Sequence, residues 1–159
     1  MNKYPNLLLD NQLCFALYSA TNAVTRYYRL YLKELGITYS QYLVLIALWE
    51  GDCKRASDIG VMLKLDPPTI TPILQKLESM GLVERTRSKD DERVVNITLT
   101  KKGVDLEEQV AAIQDKVACK THLSREEFNA LKDILNDLTD AMEVNEKDME
   151  ASNKLKKCG

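Results

Sequence analysis

The amino-acid sequence predicts a mainly α-helical protein with one small β-hairpin. Apolar residues recur at intervals of three and four along most of the 159 residues, and the pattern changes to β-branched runs between residues 82 and 99. The chain has only 6 Gly and 4 Pro, and 45% of its residues are hydrophobic, which excludes collagen-like and disordered proteins. A single globular domain over residues 1–159 is therefore expected.

Two helices are predicted in the first third of the chain. The first is a long amphipathic helix over about 10–35, which contains no Pro or Gly and is followed by Gly36, a typical residue after a helix C-terminus. Thr38-Tyr39-Ser40-Gln41 then has the pattern of a capping box. The run 42–49 that follows is apolar nearly all round, so the second helix is expected to be buried.

A short helix, a break and another helix are predicted next. The short helix covers about 56–65, and Asp66-Pro67-Pro68-Thr69 interrupts the helical pattern, since Pro is tolerated only near the start of a helix. The next helix is expected over about 69–80, with Pro72 in its first turn and Gly81 after its end. Two β-branched runs, 82–87 and 93–99, flank the polar residues 88–92 and predict the hairpin.

Two more helices follow the hairpin. Thr100 is expected to cap the first of them, which carries an apolar stripe of Leu106, Val110, Ile113 and Val117. Ser124-Arg125-Glu126-Glu127 has the pattern of a second capping box. The apolar residues after it repeat like a heptad seam, which requires a partner helix.

The order of these elements is that of a winged helix-turn-helix. In that arrangement a short helix and a tight turn precede a helix that enters the DNA major groove, and the hairpin reaches the backbone or the neighbouring minor groove. The expected layout is an N-terminal helix over 8–37, a winged helix-turn-helix over 38–103, C-terminal helices over 104–145 and a frayed tail over 146–159. An ordinary helical bundle with a solvated hairpin is the alternative.

Charge is distributed unevenly along the chain. Its formal net value of −2 would argue against a nucleic-acid partner if the charges were spread evenly. Residues 54–103, however, carry 10 basic and 7 acidic side chains, whereas residues 104–159 carry 8 basic and 13 acidic ones. The basic segment coincides with the predicted winged helix-turn-helix, so DNA stays a candidate partner.

Two groups of polar side chains are suited to DNA. On the predicted 69–80 helix, the side chains able to reach phosphates or base edges are Thr69, Thr71, Gln75 and Lys76. The predicted hairpin concentrates cations at Arg85, Arg87, Lys89 and Arg93. These residues form the expected DNA-contacting surface.

The four cysteines are Cys14, Cys53, Cys119 and Cys158. They form no C-x-x-C pair, and Cys119 with His122 would supply at most half of a metal site, so neither a metal nor a cofactor is expected. No export signal and no apolar run of about 18 residues is present, which predicts a cytoplasmic protein with reduced thiols and no membrane partner. For any one cysteine, the alternative is a small buried hydrophobe.

Several motifs resemble the MarR family of winged-helix repressors. The wing signature of that family is similar to Asp91-Glu92-Arg93 and the residues up to Gly103, and its recognition helix is similar to the segment from Asp66 through Thr69-Ile70-Thr71-Pro72. Asn11-Gln12-Leu13-Cys14-Phe15 and Thr38-Tyr39-Ser40-Gln41-Tyr42 resemble the organic-hydroperoxide-sensing branch, OhrR. The similarity covers about residues 8–140. Pro67-Pro68 departs from it, because small Ser/Gly-type residues are common there.

This resemblance implies a regulator and its partners. The chain would form a homodimer through its N- and C-terminal helices, bind a pseudo-palindromic operator in double-stranded DNA and repress a peroxide-defence gene. Asp66 and Asp91, together with the basic and polar residues named above, would belong to the DNA-binding surface. Oxidation by an organic hydroperoxide would release the operator.

The resemblance also implies a sensor. Cys14 matches the reactive cysteine, Cys119 matches the resolving cysteine of two-cysteine members, and an intersubunit disulfide would join them. Tyr28 and Tyr39 match tyrosines that hydrogen-bond the reactive sulfur from the opposite subunit. Cys14 lies near the predicted helix start, where backbone amides favour an anion. Phe15 and Tyr18 would suit an oxidant with an organic tail.

Three alternatives stay open at this point. The repressor could respond to a small phenolic ligand or another oxidant, with Cys14 not the sensor. Cys158 could replace Cys119 as the resolving thiol. A thiol peroxidase is disfavoured, because His122 lies far along the chain and no nucleophile-base motif accompanies Cys14; the chain is therefore not expected to be an enzyme.

Overall fold

The computed structural model describes residues 4–88, 91 and 93–157, and it confirms the mainly helical fold with a small β-hairpin. The helices are α1 (Leu13–Leu32), α2 (Tyr39–Trp49), α3 (Ala56–Met62), α4 (Pro67–Ser79), α5 (Lys101–Asp105), α6 (Glu107–Cys119) and α7 (Arg125–Lys157). The strands are β1 (Lys54–Arg55), β2 (Val83–Arg87) and β3 (Val95–Leu99). The chain separates into two compact units, residues 1–118 and 119–159, which are described separately.

Helix α2 is the central helix of the first unit. Its capping box is confirmed: the Thr38 amide donates to Gln41 Oε1 at 2.8 Å, and the Gln41 amide donates to Thr38 Oγ1 at 3.3 Å. As predicted, α2 is buried along most of its length, and burying each large aliphatic side chain contributes about 1.5–3 kcal/mol. The largest fully buried side chains of the core are Leu32, Val44, Leu45, Leu48, Ile59, Leu74, Leu77, Val83 and Ile97.

The helix-turn-helix is present, but α4 starts two residues earlier than predicted. Asp66 is its N-cap, and its carboxylate accepts a hydrogen bond from the Thr69 amide at 3.1 Å. Pro67 and Pro68 occupy the first two helical positions, where an amide proton has no acceptor in any case. Pro72 therefore lies in the second turn of α4, and its predicted place in the first turn is wrong.

The sheet contains one strand more than the sequence predicts. Strands β2 and β3 form the expected antiparallel hairpin, with Val83 opposite Leu99 and Arg87 opposite Val95. Strand β1 adds to the other edge of β3, giving the order β1-β3-β2. A two-residue strand is too short to show an alternating pattern, so β1 could not be recognised from the sequence.

Helix α5 packs closely against the chain at the start of the hairpin. A Cβ atom on Gly103 would overlap the carbonyl oxygen of Leu82, so only glycine fits this approach. The Trp49 indole donates to the Gly103 carbonyl at 3.1 Å, and Thr100 caps α5 as predicted. The single helix predicted here is divided into α5 and α6 at Leu106, and the rest of its apolar stripe, Val110, Ile113 and Val117, lies buried on α6.

The second unit consists mainly of α7. Its capping box is confirmed by hydrogen bonds from the Ser124 amide to Glu127 Oε2 at 2.8 Å and from the Glu127 amide to Ser124 Oγ at 3.2 Å. Helix α7 continues to Lys157, in a segment that lacks Pro and is rich in good helix formers, and fraying over 146–159 stays a prediction. Within the described part of the chain, no helix is long and apolar enough to cross a membrane.

Candidate functional site

Cys14 is the second residue of α1, and its side chain is exposed. The first α1 amide with a helical acceptor is that of Ala16, which donates to the Gln12 carbonyl at 3.2 Å. Amides in the first turn of a helix point away from the helix body and favour an anion there. Phe15 and Tyr18 are also exposed, and Tyr18 lies four residues after Cys14, on the same face of the helix.

Three tyrosines form a cluster between α1 and α2. Tyr28 comes from α1, and Tyr39 and Tyr42 come from α2; the ring centroids are 5.0 to 5.6 Å apart. The Tyr42 hydroxyl donates to the Tyr28 oxygen, with the two oxygens 3.4 Å apart. Tyr42 is buried, while Tyr28 and Tyr39 are half-buried. The structure thus brings the two sequence-predicted tyrosines together and adds a third.

Two of these phenols are held in their neutral form. Burial raises the pKa of Tyr39, and the neighbouring Tyr28 adds to the rise. Burial also raises the pKa of Tyr42 well above its usual value, and the hydrogen bond to Tyr28 acts in the same direction. Because a neutral phenol keeps its proton, both groups remain hydrogen-bond donors at neutral pH.

The thiol and the tyrosine cluster of one chain lie far apart. Helix α1 runs without a break from Leu13 to Leu32, and Cys14 and Tyr28 are 14 residues apart along it. At about 1.5 Å per residue, their backbones are separated by roughly 21 Å. A single chain therefore cannot bring its own Tyr28 to its own Cys14.

Helix α4 presents one apolar and one polar face. The buried side is formed by Ile70, Leu74 and Leu77. The predicted DNA-contacting residues all lie on the exposed side: Thr69, Thr71, Gln75 and Lys76. The Thr71 hydroxyl donates to the Pro67 carbonyl at 2.7 Å, so part of its hydrogen-bonding capacity is used inside the helix.

The hairpin carries two of the predicted cations on its surface. Arg87 and Arg93 are exposed, and Asp91 accepts a hydrogen bond from the Arg93 amide at 2.9 Å, which fixes the backbone at the turn. Lys89 lies outside the described residues.

Arg85 differs from the other hairpin cations. Its guanidinium contacts Glu78 of α4 at 3.3 Å, and its side chain is only 25% exposed. The prediction that Arg85 belongs to the exposed cationic cluster is therefore wrong. Because side chains alternate along a strand, Arg85 faces α4 like Val83, whereas Glu84 and Thr86 face solvent.

Three of the four cysteines are free and exposed: Cys14, Cys53 and Cys119. The alternative of a buried hydrophobe is thus wrong for these three. Cys119 is the last residue of α6, and Cys53 lies in the turn before β1 with a left-handed backbone (φ 60°). Cys158 falls outside the described part of the chain.

A family model described as transcriptional regulator SarA/Rot matches residues 26–110. This range runs from the end of α1 through the helix-turn-helix and the hairpin into α6, and it is more than half of the chain. The chain belongs to the SarA/Rot group of MarR-type winged-helix transcriptional regulators. As a member of this group, it is a regulator and not an enzyme.

Individual relatives agree with this assignment. The regulator is 39% identical over 141 residues to the organic hydroperoxide resistance transcriptional regulator of Bacillus subtilis, covering 89% of this chain and 96% of that protein. It is 36% identical to reduced AbfR bound to DNA, with a TM-score of 0.74 over 89% of this chain and 97% of AbfR. Disulfide-formed AbfR is also 36% identical, with a TM-score of 0.59 over 85% of this chain and 90% of AbfR.

Sequence reasoning missed two polar residues that organise this regulator. Tyr42 was visible in the Thr38-Tyr39-Ser40-Gln41-Tyr42 motif, three residues from Tyr39 and so on the same helix face. Asp52 gave no signal, because its role depends on long-range contact: Oδ1 accepts from the Leu99 amide at 2.9 Å and from the Cys53 amide at 2.8 Å. Asp52 thereby attaches the loop after α2 to β3.

Proposed function

We propose that this regulator is a homodimeric repressor that binds a pseudo-palindromic operator when reduced and releases it when an organic hydroperoxide oxidises Cys14. The observation that carries the proposal is an exposed, free thiol in the first turn of α1. The comparison with AbfR supports it, since that relative has been solved both in a reduced, DNA-bound form and in a disulfide form.

The DNA-binding surface proposed here consists of α4 and the hairpin. Gln75 and Lys76, with Thr69 and Thr71, are suited to base edges and phosphates in the major groove, since they share the exposed face of α4. Arg87 and Arg93 would contact the backbone or the minor groove. Two acidic residues would act by holding the backbone in place, through the hydrogen bonds described above: Asp66 and Asp91.

The sensing chemistry would take two steps. The Cys14 thiolate attacks the hydroperoxide, an S–O bond forms, the O–O bond breaks, and the alkoxide leaves as an alcohol after gaining a proton. The Cys119 thiolate of the other subunit then attacks the sulfenic acid sulfur, an S–S bond forms, the S–O bond breaks, and the hydroxide leaves as water after gaining a proton. Two thiols are oxidised and one hydroperoxide is reduced to an alcohol and water.

The second subunit is needed to complete the sensor. Because the Tyr28 of the same chain is about 21 Å away, Tyr28 can reach Cys14 only from the other subunit. Tyr28 and Tyr39 of that subunit would donate hydrogen bonds to the sulfur or to the departing oxygen, and Phe15 and Tyr18 would provide apolar contacts for an organic tail. The exposed apolar residues of α7, among them Phe128, Leu131 and Met142, are suited to a dimer interface.

The test is an operator-binding assay with DNA duplexes selected from a random library by the reduced protein. Binding is measured before and after one equivalent of cumene hydroperoxide, together with non-reducing gel electrophoresis. We expect oxidised wild type to release DNA and form a disulfide-linked dimer, and Cys14→Ser to do neither. Cys53→Ser removes another exposed thiol and is the matched control; it should behave like wild type.

Two results would contradict the proposal. If oxidised wild type still bound the selected DNA, or if Cys14→Ser still released it, Cys14 would not be the sensor, and the alternative of a repressor that responds to a small phenolic ligand or another oxidant would take its place. Cys119→Ser separates the second step. Loss of the covalent dimer in Cys119→Ser, but not in Cys158→Ser, is expected if Cys119 is the resolving thiol.

A further inference from the structure

Tyr42 is the innermost phenol of the tyrosine cluster. It is only 3% exposed, whereas Tyr28 and Tyr39 are half-buried. A buried hydroxyl needs a hydrogen-bond partner, because leaving it unpaired away from water is costly. The partner of the Tyr42 hydroxyl is the Tyr28 oxygen, across the contact between α2 and α1.

The direction of this hydrogen bond follows from the burial of the two residues. A phenol carries a single proton but can both donate and accept. The enclosed Tyr42 directs its proton to Tyr28, and burial together with this bond raises the pKa of Tyr42, so the proton stays in place at neutral pH. The proton of Tyr28 is then not needed inside the cluster and can point outward from the half-exposed ring.

We propose that Tyr42 is a positioning residue of the sensor, whose hydroxyl orients the O–H of Tyr28 toward the reacting sulfur and peroxide of the second subunit. This inference rests on the proposed function, since it requires Cys14 to be the thiol that is oxidised. Tyr42 itself does not touch the reacting atoms. Its contribution passes through Tyr28, which donates to the anionic thiolate or to the departing alkoxide.

The oxygen–oxygen distance fits a bond that strengthens during the reaction. At 3.4 Å it is longer than the 2.5–3.0 Å of a strong O–H···O hydrogen bond. Hydrogen bonds at reactive sites are often long before the substrate arrives and shorten in the reacting complex. When Tyr28 donates to an anion, its oxygen becomes a better acceptor for Tyr42, because linked hydrogen bonds polarise one another.

The experiment isolates the first oxidation step. In full-length protein carrying Cys53→Ser, Cys119→Ser and Cys158→Ser, Cys14 is the only thiol, and its second-order rate constant with cumene hydroperoxide is measured by trapping the sulfenic acid. Adding Tyr42→Phe keeps the ring and removes the hydroxyl. We expect oxidation to slow about two- to tenfold, with the DNA affinity of the reduced protein unchanged.

A double-mutant cycle tests whether Tyr42 acts through Tyr28. Tyr28→Phe should also slow oxidation, and the double variant should be no slower than Tyr28→Phe alone. Replacing Tyr42 by 3-fluorotyrosine keeps the packing and makes the hydroxyl a stronger donor, so the rate should rise, but only when Tyr28 is present. Tyr31→Phe changes a half-buried phenol one turn along α1 and is the matched control; its rate should equal that of the parent.

Each opposing result has a distinct meaning. If the parent reacts but Tyr42→Phe reacts equally fast, or slows further in the Tyr28→Phe background, the positioning role is overturned and the proposed function stands. A loss of reduced-state DNA affinity that accounts for the slower oxidation would assign Tyr42 a purely structural role and also overturn it. If Cys14 of the parent is not oxidised at all, the proposed function fails, and this inference fails with it.

Discussion

The buried phenols of the tyrosine cluster should make folding stability sensitive to alkaline pH. The pKa values of Tyr39 and Tyr42 are raised in the folded protein, so the folded chain keeps protons that the unfolded chain releases near pH 10. Their contribution to stability is complete below about pH 10 and is lost as pH rises from there toward the folded-state pKa values, at up to about 1.4 kcal/mol per pH unit for the buried Tyr42 and less for the half-exposed Tyr39, where solvent screens the interaction. Urea unfolding of wild type and Tyr42→Phe at pH 8 to 11 checks this: the variant, which cannot ionise at this position, should lose stability less steeply. Equal slopes would contradict the expectation.

Gly103 is expected to tolerate no side chain. Alanine has a higher helix propensity than glycine by about 1 kcal/mol, which would favour Gly103→Ala in α5. The new Cβ would overlap the Leu82 carbonyl oxygen, however, and overpacking of this kind typically costs about 1–3 kcal/mol. Because the clash involves backbone, we expect a net loss of about 1–2 kcal/mol in the free energy of unfolding, measured by urea denaturation. Gly51→Ala is the control, since its Cβ would meet only the end of the flexible Lys54 side chain; a loss as large there would contradict this explanation.

At the scale of secondary-structure elements, Asp52 connects the loop after α2 to the base of the hairpin. Its carboxylate holds the Leu99 amide of β3, so Asp52→Ala should free that amide and lower the free energy of unfolding by about 1 kcal/mol. Hydrogen exchange of the Leu99 amide, followed by NMR, should accelerate. Asp52→Asn keeps a side-chain oxygen and should show a smaller change. Unchanged exchange in Asp52→Ala would mean that β2 and β3 alone protect this amide.

The elements that the sequence predicted well are those whose signals are local. Both capping boxes, at Thr38 and at Ser124, consist of residues three apart in the chain, and the structure reproduces both pairs of hydrogen bonds. The helix-turn-helix and the hairpin follow from short patterns in the same way. Strand β1 and the inward-facing Arg85 were missed because each depends on packing against another element, β3 in one case and Glu78 of α4 in the other.

At the scale of the whole molecule, the candidate site also depends on contacts between elements that the sequence alone does not reveal. Tyr28 and Tyr39 were found through motif resemblance, and the structure groups them with Tyr42 because α1 and α2 pack together, which no spacing along the chain reveals. The proposed partnership between Cys14 and Tyr28 would require two chains, since α1 keeps these residues roughly 21 Å apart in one. Spacing along the sequence can therefore exclude a contact between Cys14 and Tyr28 within one subunit. It cannot give the geometry of that contact between two subunits, which depends on how the dimer assembles.

The uneven charge of the chain leads to a last prediction, on DNA binding. Although the net charge is −2, residues 54–103 carry an excess of three positive charges, and the hairpin exposes Arg87 and Arg93. Each phosphate contact releases counterions and adds about 0.9 to the slope of log K against log salt concentration. In a dimer, Arg87→Gln or Arg93→Gln removes two such contacts, so each variant should reduce the magnitude of the slope by about 1.8.

The measurement is fluorescence anisotropy of reduced protein on a selected duplex, between 50 and 300 mM salt. Lys132→Gln makes the same change of charge on α7, outside the α4 face and the hairpin, and is the matched control. If binding depended on net charge alone, Lys132→Gln would flatten the slope as much as Arg87→Gln. We expect binding to depend on the cations of residues 54–103, which include the hairpin. Only the hairpin variants should then flatten the slope, because counterions are released where cations meet phosphates.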